Sequence, residues 1–367
     1  MRMENKRITL IGFGLLAGSV AAAVRQAGLP VAIRVVSSRD TLKKAEEHGA
    51  ADEFFEYDEV EKWLPESDLI LLCSPIKHIL SQIEILKKNA HLCTKELVVS
   101  DIGSTKEEIC SLGFGLPEPF CFVGGHPMAG SEKHGFEHGD PSIFENAYWL
   151  YCLPKNLTEL PEIMSKLLHF LGSRPVQISP SEHDYAMAWL SHAPQLLSTA
   201  IASGVSSEIS NNYLHLAGRG FRDMTRIAGS SWGMWKDILK SNRENVSEAL
   251  LSYANAAISI KNFLDNAPEK IENEFLRGNE MRRSLETGKN YAYPLFEIVA
   301  HISDEPGSIL NALAPLAEEN INIRDVELMK VREGIGGTLL LAFKAEDDAI
   351  NAIKILESRG IHAKRRI

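Results

Sequence analysis

The chain has 367 residues, too many for one ordinary core, so two or three domains are expected. Its 44% hydrophobic and 24% charged residues are ordinary globular composition. A net charge of −10 without a long Lys/Arg run speaks against a nucleic-acid partner, and the short Lys364-Arg365-Arg366 tail reads as solvated.

The first apolar segment admits two readings. Basic Met1–Arg7 followed by apolar Ile8–Val24 has the outline of a signal peptide. Gly12, Gly14 and Gly18 would weaken such a helix, and a second strand-like run, Val31–Val36, follows at the βαβ interval. The βαβ reading is preferred, and no membrane segment is expected. Arg7–Ile11 is then a strand, followed by a glycine-rich turn and a small-residue helix to Ala27, stopped by Gly28 and Pro30. Thr41–His48 reads as helix. Asp68–Cys73, Glu96–Asp101, Phe120–Val123 and Tyr148–Leu153 read as further strands. Strands alternating with helices imply a parallel, doubly wound sheet of Rossmann type, here residues 1–175, with ligands at the carboxyl ends of the strands. The Ser74-Pro75, Gly103-Ser104 and His126 loops all follow strands and should converge there.

Residues 176–290 change texture. Glu182–Ser203, Asn211–Ala228, Met234–Lys240 and Arg243–Leu264 are helical in period, with more apolar surface than one antiparallel pair would bury. A homodimer interface and a monomeric bundle core both fit that surplus. Residues 278–293 read as a polar linker. Residues 294–367 read as βαββαβ, a ferredoxin-like unit. Its parts are a strand at Leu295–Ile302, a turn at Asp304–Gly307, a helix to Glu319, a hairpin with its turn at 333–337, a helix at Glu346–Ser358 and a last strand at Ile361–Lys364. Five cysteines, an odd count without a CxxC pair, suit reduced thiols in a cytoplasm better than a disulfide framework or zinc site, and no metal is expected.

Gly12, Gly14 and Ala17 form a GxGxxA turn between strand and helix. Gly12 permits the tight turn, Gly14 lets backbone approach a pyrophosphate, and Ala17 allows close packing. With Leu15 on that turn, Ser38 and Arg39 after the second strand, and Ser74 and Pro75 after the Asp68–Cys73 strand, they make the candidate cofactor set. The end of the second strand is Ser37-Ser38-Arg39, not an acid. Arg39 could bind a 2′-phosphate, which favours NADP, while Asp40 keeps NAD open. His126, flanked by Gly124-Gly125 and Pro127, is the candidate acid/base, its glycines suiting backbone packed against a ligand. His192 in Ser191-His192-Ala193-Pro194 lies in mid-helical sequence, where spacing alone makes it a packed or solvent-facing residue. Arg219, Arg222 and Arg226 form either a carboxylate-binding cluster or a set of helix-end ion pairs.

Taken together these strings resemble prephenate dehydrogenase and its arogenate-using relatives, the oxidoreductases of tyrosine biosynthesis, over residues 7–290. The resemblance rests on Gly12–Ser19, Asp101–Lys106, Gly125–Glu132, His183-Asp184, Ser191–Pro194 and Gly220–Ala228, of which the Gly125–Gly130 and Phe221–Ala228 strings are specific. Residues 294–367 resemble an ACT domain, an amino-acid-binding regulatory module. The sequence departs from the family at Ala17 and Arg219, often glycines there, and at Gln195, often a histidine. The resemblance implies that His126 accepts the proton or hydrogen bond of a ring hydroxyl and that Ser104 touches the same hydroxyl. It implies that Arg226 holds a ring carboxylate, that His192 and Glu132 line the pocket, and that tyrosine is an effector of the ACT unit. The reaction implied is oxidative decarboxylation of prephenate, with arogenate as the alternative substrate. A different hydroxy-acid dehydrogenase is a competing reading that leaves the Gly125–Gly130 and Phe221–Ala228 strings and the C-terminal unit unexplained, and a non-catalytic nucleotide and amino-acid sensor is another, which binding without turnover would support.

Overall fold

The computed structural model describes residues 3, 5–130, 133–208, 211–287, 295–332 and 336–365, and the chain divides into two compact units, Met1–Pro268 and Glu269–Ile367. The first unit is built on an eight-stranded sheet. Its elements run β1 (Lys6–Ile11), α1 (Leu15–Gln26), β2 (Val31–Ser37), α2 (Arg39–Glu47), β3 (Glu53–Glu56), α3 (Val60–Trp63), β4 (Leu69–Leu72), α4 (Ile76–Lys88), β5 (Leu97–Asp101), α5 (Glu107–Gly113), β6 (Phe120–Pro127), β7 (Tyr148–Cys152), α6 (Glu162–Phe170) and β8 (Arg174–Gln177). The order is β3-β2-β1-β4-β5-β6-β7-β8. Its first six strands are parallel, and the order reverses between β1 and β4, where an open α/β sheet leaves a crevice for a ligand.

The apolar runs are long because both faces of the sheet are covered. On β4, Leu69 and Leu71 enter the core beneath α1 and α6, while Ile70 and Leu72 enter the opposite core with Ile79 and Ile83 of α4. All four are fully buried, as alternation across a doubly covered strand requires.

The sheet is not wholly parallel. β7 runs antiparallel to β6, and β8 lies parallel to β7. A parallel return needs a crossover, usually helical. Between β6 and β7 the described residues carry only a 3-10 turn, Phe136–His138, so the chain doubles back. Gly124 and Gly125 on β6 are packed against protein rather than against a ligand. A Cβ on Gly125 would collide with the Asp101 carbonyl, and one on Gly124 with Cys110 Sγ and Cys152.

The helical part of this unit comprises α7 (Pro180–Met187), α8 (Ala193–Glu208), α9 (Arg219–Thr225), α10 (Trp232–Ser241) and α11 (Arg243–Asn266). α7 starts where the sequence dictates. Ser179 accepts from the Glu182 N–H, Glu182 reaches back to the Ser179 N–H, and Pro180 occupies the first turn. The single long helix expected from Glu182 to Ser203 is interrupted by a π-turn, Ala188–His192. Pro194 lacks an N–H for the α-helical ladder, and a π-turn just before it absorbs the misfit.

The second unit begins with α12 (Ile271–Thr287), so the stretch read as linker is helical as far as Thr287, and residues 288–294 lie outside the described residues. It continues with β9 (Phe296–Ile302), α13 (Ser308–Glu318), β10 (Ile323–Arg332), β11 (Gly336–Phe343), α14 (Glu346–Ser358) and β12 (Ala363–Arg365). The sheet is antiparallel, in the order β10-β11-β9-β12. Ile298, Ala300, Leu339, Leu341 and Phe343 face Ala312, Leu316, Ala352 and Leu356 of the two helices to make its core.

Candidate active site

The nucleotide cradle lies at the reversal in strand order. Gly12 has φ +89°, and a Cβ there would collide with the Ser74 hydroxyl, so the turn after β1 and the loop after β4 meet only because residue 12 is glycine. Nothing stands within 4 Å of where a Gly14 Cβ would be, which leaves backbone open to a ligand. α1 begins at Leu15 with no side-chain cap and no acid in its first turn, so its leading N–H groups suit a pyrophosphate. Ala17 is buried against the sheet. Ser74 accepts from Gln82 Nε2 (3.0 Å) and donates to the Ile11 carbonyl (3.3 Å), and Pro75 caps α4. These residues fit a dinucleotide.

At the cofactor-selective corner, Ser38 Oγ lies 3.1 Å from Thr41 Oγ1 and caps α2 without a side-chain bond to it. Arg39 donates through Nε and Nη2 to Glu56 Oε1 (2.9 and 2.8 Å). Glu56 ends β3, in register with Ser37 of β2. An acid therefore stands beside the second strand after all, supplied by a neighbour that the sequence reading did not identify as a strand.

The chemical centre grows from two buried carboxylates. Asp101, ending β5, pairs with the buried Lys106 ammonium. It also accepts from the Gly103 N–H (2.7 Å) and the Gly125 N–H (3.0 Å). Ser104 and His126 each directly follow one of those glycines, so one carboxylate ties the backbone just before Ser104, past the end of β5, to the backbone just before His126, which lies within β6 rather than in a loop after it. Asp184 on α7 accepts from the Lys106 and Glu107 N–H groups (2.6 and 2.9 Å) and so caps α5, which has no side-chain cap of its own sequence. Its Oδ1 lies 2.7 Å from His183 Nδ1, and His183 Nε2 lies 2.8 Å from His126 Nδ1. Asn242, between α10 and α11, donates from Nδ2 to the Asp184 carbonyl (2.7 Å) and lies 3.2 Å from His192 Nδ1.

His126 is half-buried and His183 and His192 are buried. Burial holds His126 well below the ordinary imidazole value, and a proton there would also be repelled by the Lys106 charge and by any proton on His183 or His192. Burial lowers His183 too, against the opposing hydrogen bond to Asp184. It pushes His192 down to about 4. All three rings are neutral at neutral pH. His192, which spacing alone made a packed or solvent-facing residue, thus belongs to this cluster, with the Trp235 ring edge-on to it at 5.8 Å between centroids.

Arg226 begins a 3-10 turn, Arg226–Gly229, and is exposed. Gln195 braces that turn, donating to the Ile227 carbonyl (2.7 Å) and accepting from Ser230 Oγ (3.3 Å). Arg219 pairs with Asp223 one helical turn on, and Arg222 Nε donates to the Ala217 carbonyl, so those two serve local structure. Glu132 lies outside the described residues. Roles for Asp101, Lys106, His183, Asp184, Asn242 and Glu56 were not assigned from the sequence. The apolar-to-acid step Val98-Val99-Ser100-Asp101 at a strand end was the one available signal for the first.

A Rossmann cradle whose carboxyl edge carries neutral histidines, shared with a helical segment, defines a nicotinamide-dependent oxidoreductase. The chain belongs to the prephenate dehydrogenase family. The family model for the prephenate dehydrogenase nucleotide-binding domain matches residues 20–177, and that for its dimerization domain matches residues 179–278. The prephenate dehydrogenase of Bacillus subtilis is 30% identical over 98% of both chains. The Aquifex aeolicus prephenate dehydrogenase, solved with hydroxyphenyl propionate and NAD+, is 27% identical, with a TM-score of 0.68 over 77% of this chain and 99% of that one. The arogenate dehydrogenase of Synechocystis is 25% identical, with a TM-score of 0.63 over 76% of this chain and 99% of that one.

A depressed imidazole value has a measurable sign. With His126 as candidate base, its protonation should abolish turnover, so the acid limb of log kcat/KM against pH should lie below the ordinary value of 6.5. A limb at or above 6.5 would show that the site does not hold His126 neutral.

Proposed function

We propose that this enzyme oxidatively decarboxylates prephenate to 4-hydroxyphenylpyruvate in tyrosine biosynthesis. The observation that supports the reading is the Asp101 carboxylate, which accepts from the N–H groups of Gly103 and Gly125, the residues just before Ser104 and His126. Gly12, Gly14 and the leading N–H groups of α1 would hold the nicotinamide nucleotide, which when bound would supply the hydride acceptor for the ring carbinol carbon. His126 takes the hydroxyl proton, with Ser104 on the same oxygen. The bond from ring to carboxylate breaks, CO2 leaves, and its electron pair completes the aromatic ring, whose oxygen regains the proton. Aromatisation makes this downhill, so the protein supplies orientation and proton handling. Arg226 is assigned to a substrate carboxylate, with His192 and Glu132 lining the pocket. Side-by-side assays of prephenate and arogenate, read by reduced-nicotinamide absorbance, test the substrate, and turnover of arogenate alone would reverse the choice. Arg226→Gln should raise the prephenate KM by about 10- to 100-fold, the worth of a charge-assisted contact, and leave the nucleotide KM unchanged. An equal rise in both would make Arg226 structural.

The Arg39–Glu56 pair bears on the nucleotide. Glu56 occupies the guanidinium that a 2′-phosphate would need and adds a repelling charge, which favours NAD over the NADP expected from Ser37-Ser38-Arg39. The Arg39 side chain is 83% exposed, so the pair is easily exchanged. Glu56→Gln should therefore lower the KM for NADP severalfold and leave that for NAD nearly unchanged. No change for either nucleotide would remove Glu56 from cofactor choice.

We divide the work as nucleotide binding in 1–175, substrate binding and homodimerisation in 176–290 and regulation in 294–367. Leu190, Leu216, Trp232, Leu251 and Leu264 of the helical part are each more than 60% exposed, apolar surface that a second copy would cover. The βαββαβ order and the strand order of the second unit support a ferredoxin-like ACT reading. The five free cysteines support a reducing cytoplasm. Tyrosine is proposed to act through 294–367, at the turn before α13. Tyrosine should inhibit the full chain and not a chain ending at residue 293. Equal inhibition of both would place tyrosine in the active site.

A further inference from the structure

His183 and Asp184 are not needed to touch substrate, yet their geometry decides which nitrogen of His126 is free. We propose that they are positioning residues: Asp184 and His183 hold His126 as the Nδ1–H tautomer, leaving Nε2 as the proton acceptor. The inference deepens the reading of His126 as the base and rests on it.

The hydrogen-bond logic runs outward from an acceptor. The Asp184 carboxylate can only accept, so His183 carries its proton on Nδ1, 2.7 Å away. A neutral His183 has one N–H, so its Nε2 is a lone pair. That lone pair faces His126 Nδ1 at 2.8 Å, and a bond there requires the proton to sit on His126 Nδ1. His126 Nε2 is then bare. Asp184 cannot turn away, because its two oxygens also hold the Lys106 and Glu107 N–H groups. The same helix sets the opposite state at His192. Asn242 Nδ2 must donate, since its other partner is the Asp184 carbonyl and its Oδ1 accepts from Asn245 Nδ2 (2.8 Å). His192 Nδ1 therefore accepts, and its proton sits on Nε2. One ring offers a base at Nε2 and the other a neutral donor at Nε2. A tautomer set by a second group is what a general base needs to meet substrate in one protonation state.

The test combines spectroscopy and kinetics on the full chain with nicotinamide nucleotide bound. Long-range proton–nitrogen correlation spectra of histidine-labelled protein, with His126 assigned by loss of its signals in His126→Asn, should show His126 protonated at Nδ1 and bare at Nε2. His192 should show the reverse. A His126 protonated at Nε2 overturns the proposal whatever the substrate proves to be, so this result is separable from failure of the prephenate assay. His183→Leu, which removes the acceptor, should lower kcat by about 10²-fold, at the low end of a general base's contribution, with KM values within about twofold. His183→Gln, whose amide oxygen can accept the Nδ1–H, should recover part of that loss. Equal loss in the two variants, or loss shared by kcat and both KM values, would make His183 a packing residue and overturn the assignment.

Discussion

A single buried carboxylate, Asp184, ties the parts of the site to one another. It lies on the first helix of the helical region, yet its oxygens satisfy the leading N–H groups of α5, which belongs to the Rossmann sheet. A carboxylate this deeply buried is tolerable only when its lone pairs are filled, and hydrogen bonds to a charged group are worth about 1.5–3 kcal/mol each. The two backbone donors and His183 meet that need together. The docking of α7 on α5 and the orientation of the histidines are therefore one constraint, and neither can relax without exposing the other.

Asp101 does the complementary work within the sheet. Its charge is answered by Lys106, itself fully buried, and it also accepts from two glycine N–H groups, one in the loop after β5 and one on β6. Replacing such a pair by apolar residues often stabilises a protein, so its presence here points to geometry rather than to stability. The geometry is the tie between the backbone before Ser104 and the backbone before His126. The Lys106 charge has a second effect, since together with burial it keeps His126 neutral. Held neutral, the ring stays a proton acceptor at neutral pH.

The corner that selects the nucleotide shows how adjacency in a sheet changes the meaning of a residue. Arg39 follows β2, and read along the chain it is a free cation awaiting a phosphate. β3 lies beside β2 and ends on Glu56, so across the sheet the same arginine is already answered.

Much of the architecture is legible along the chain, where the physics is local. The glycine turn between β1 and α1, the uninterrupted apolar run of β4 and the Ser179–Glu182 capping box each sit within a few residues, and strand or helix period is visible over such a span. The strands and helices from β9 to β12 were legible for the same reason, each being short and regular, whereas α12 was read as linker. His126 stood out by its glycines, although these proved to serve close packing against Asp101 and Cys110 rather than ligand approach. Only the tertiary structure decided the rest. The direction of β7 depends on the lack of a crossover helix in the described residues before it, and β3 is too short to show a period. The π-turn at Ala188–His192 is a compromise between Pro194 and the helix around it. His183, Asp184, Asn242 and Glu56 acquire meaning from partners 17 to 78 residues away. No pattern along the chain encodes such distances, because they are set by which strands and helices pack together.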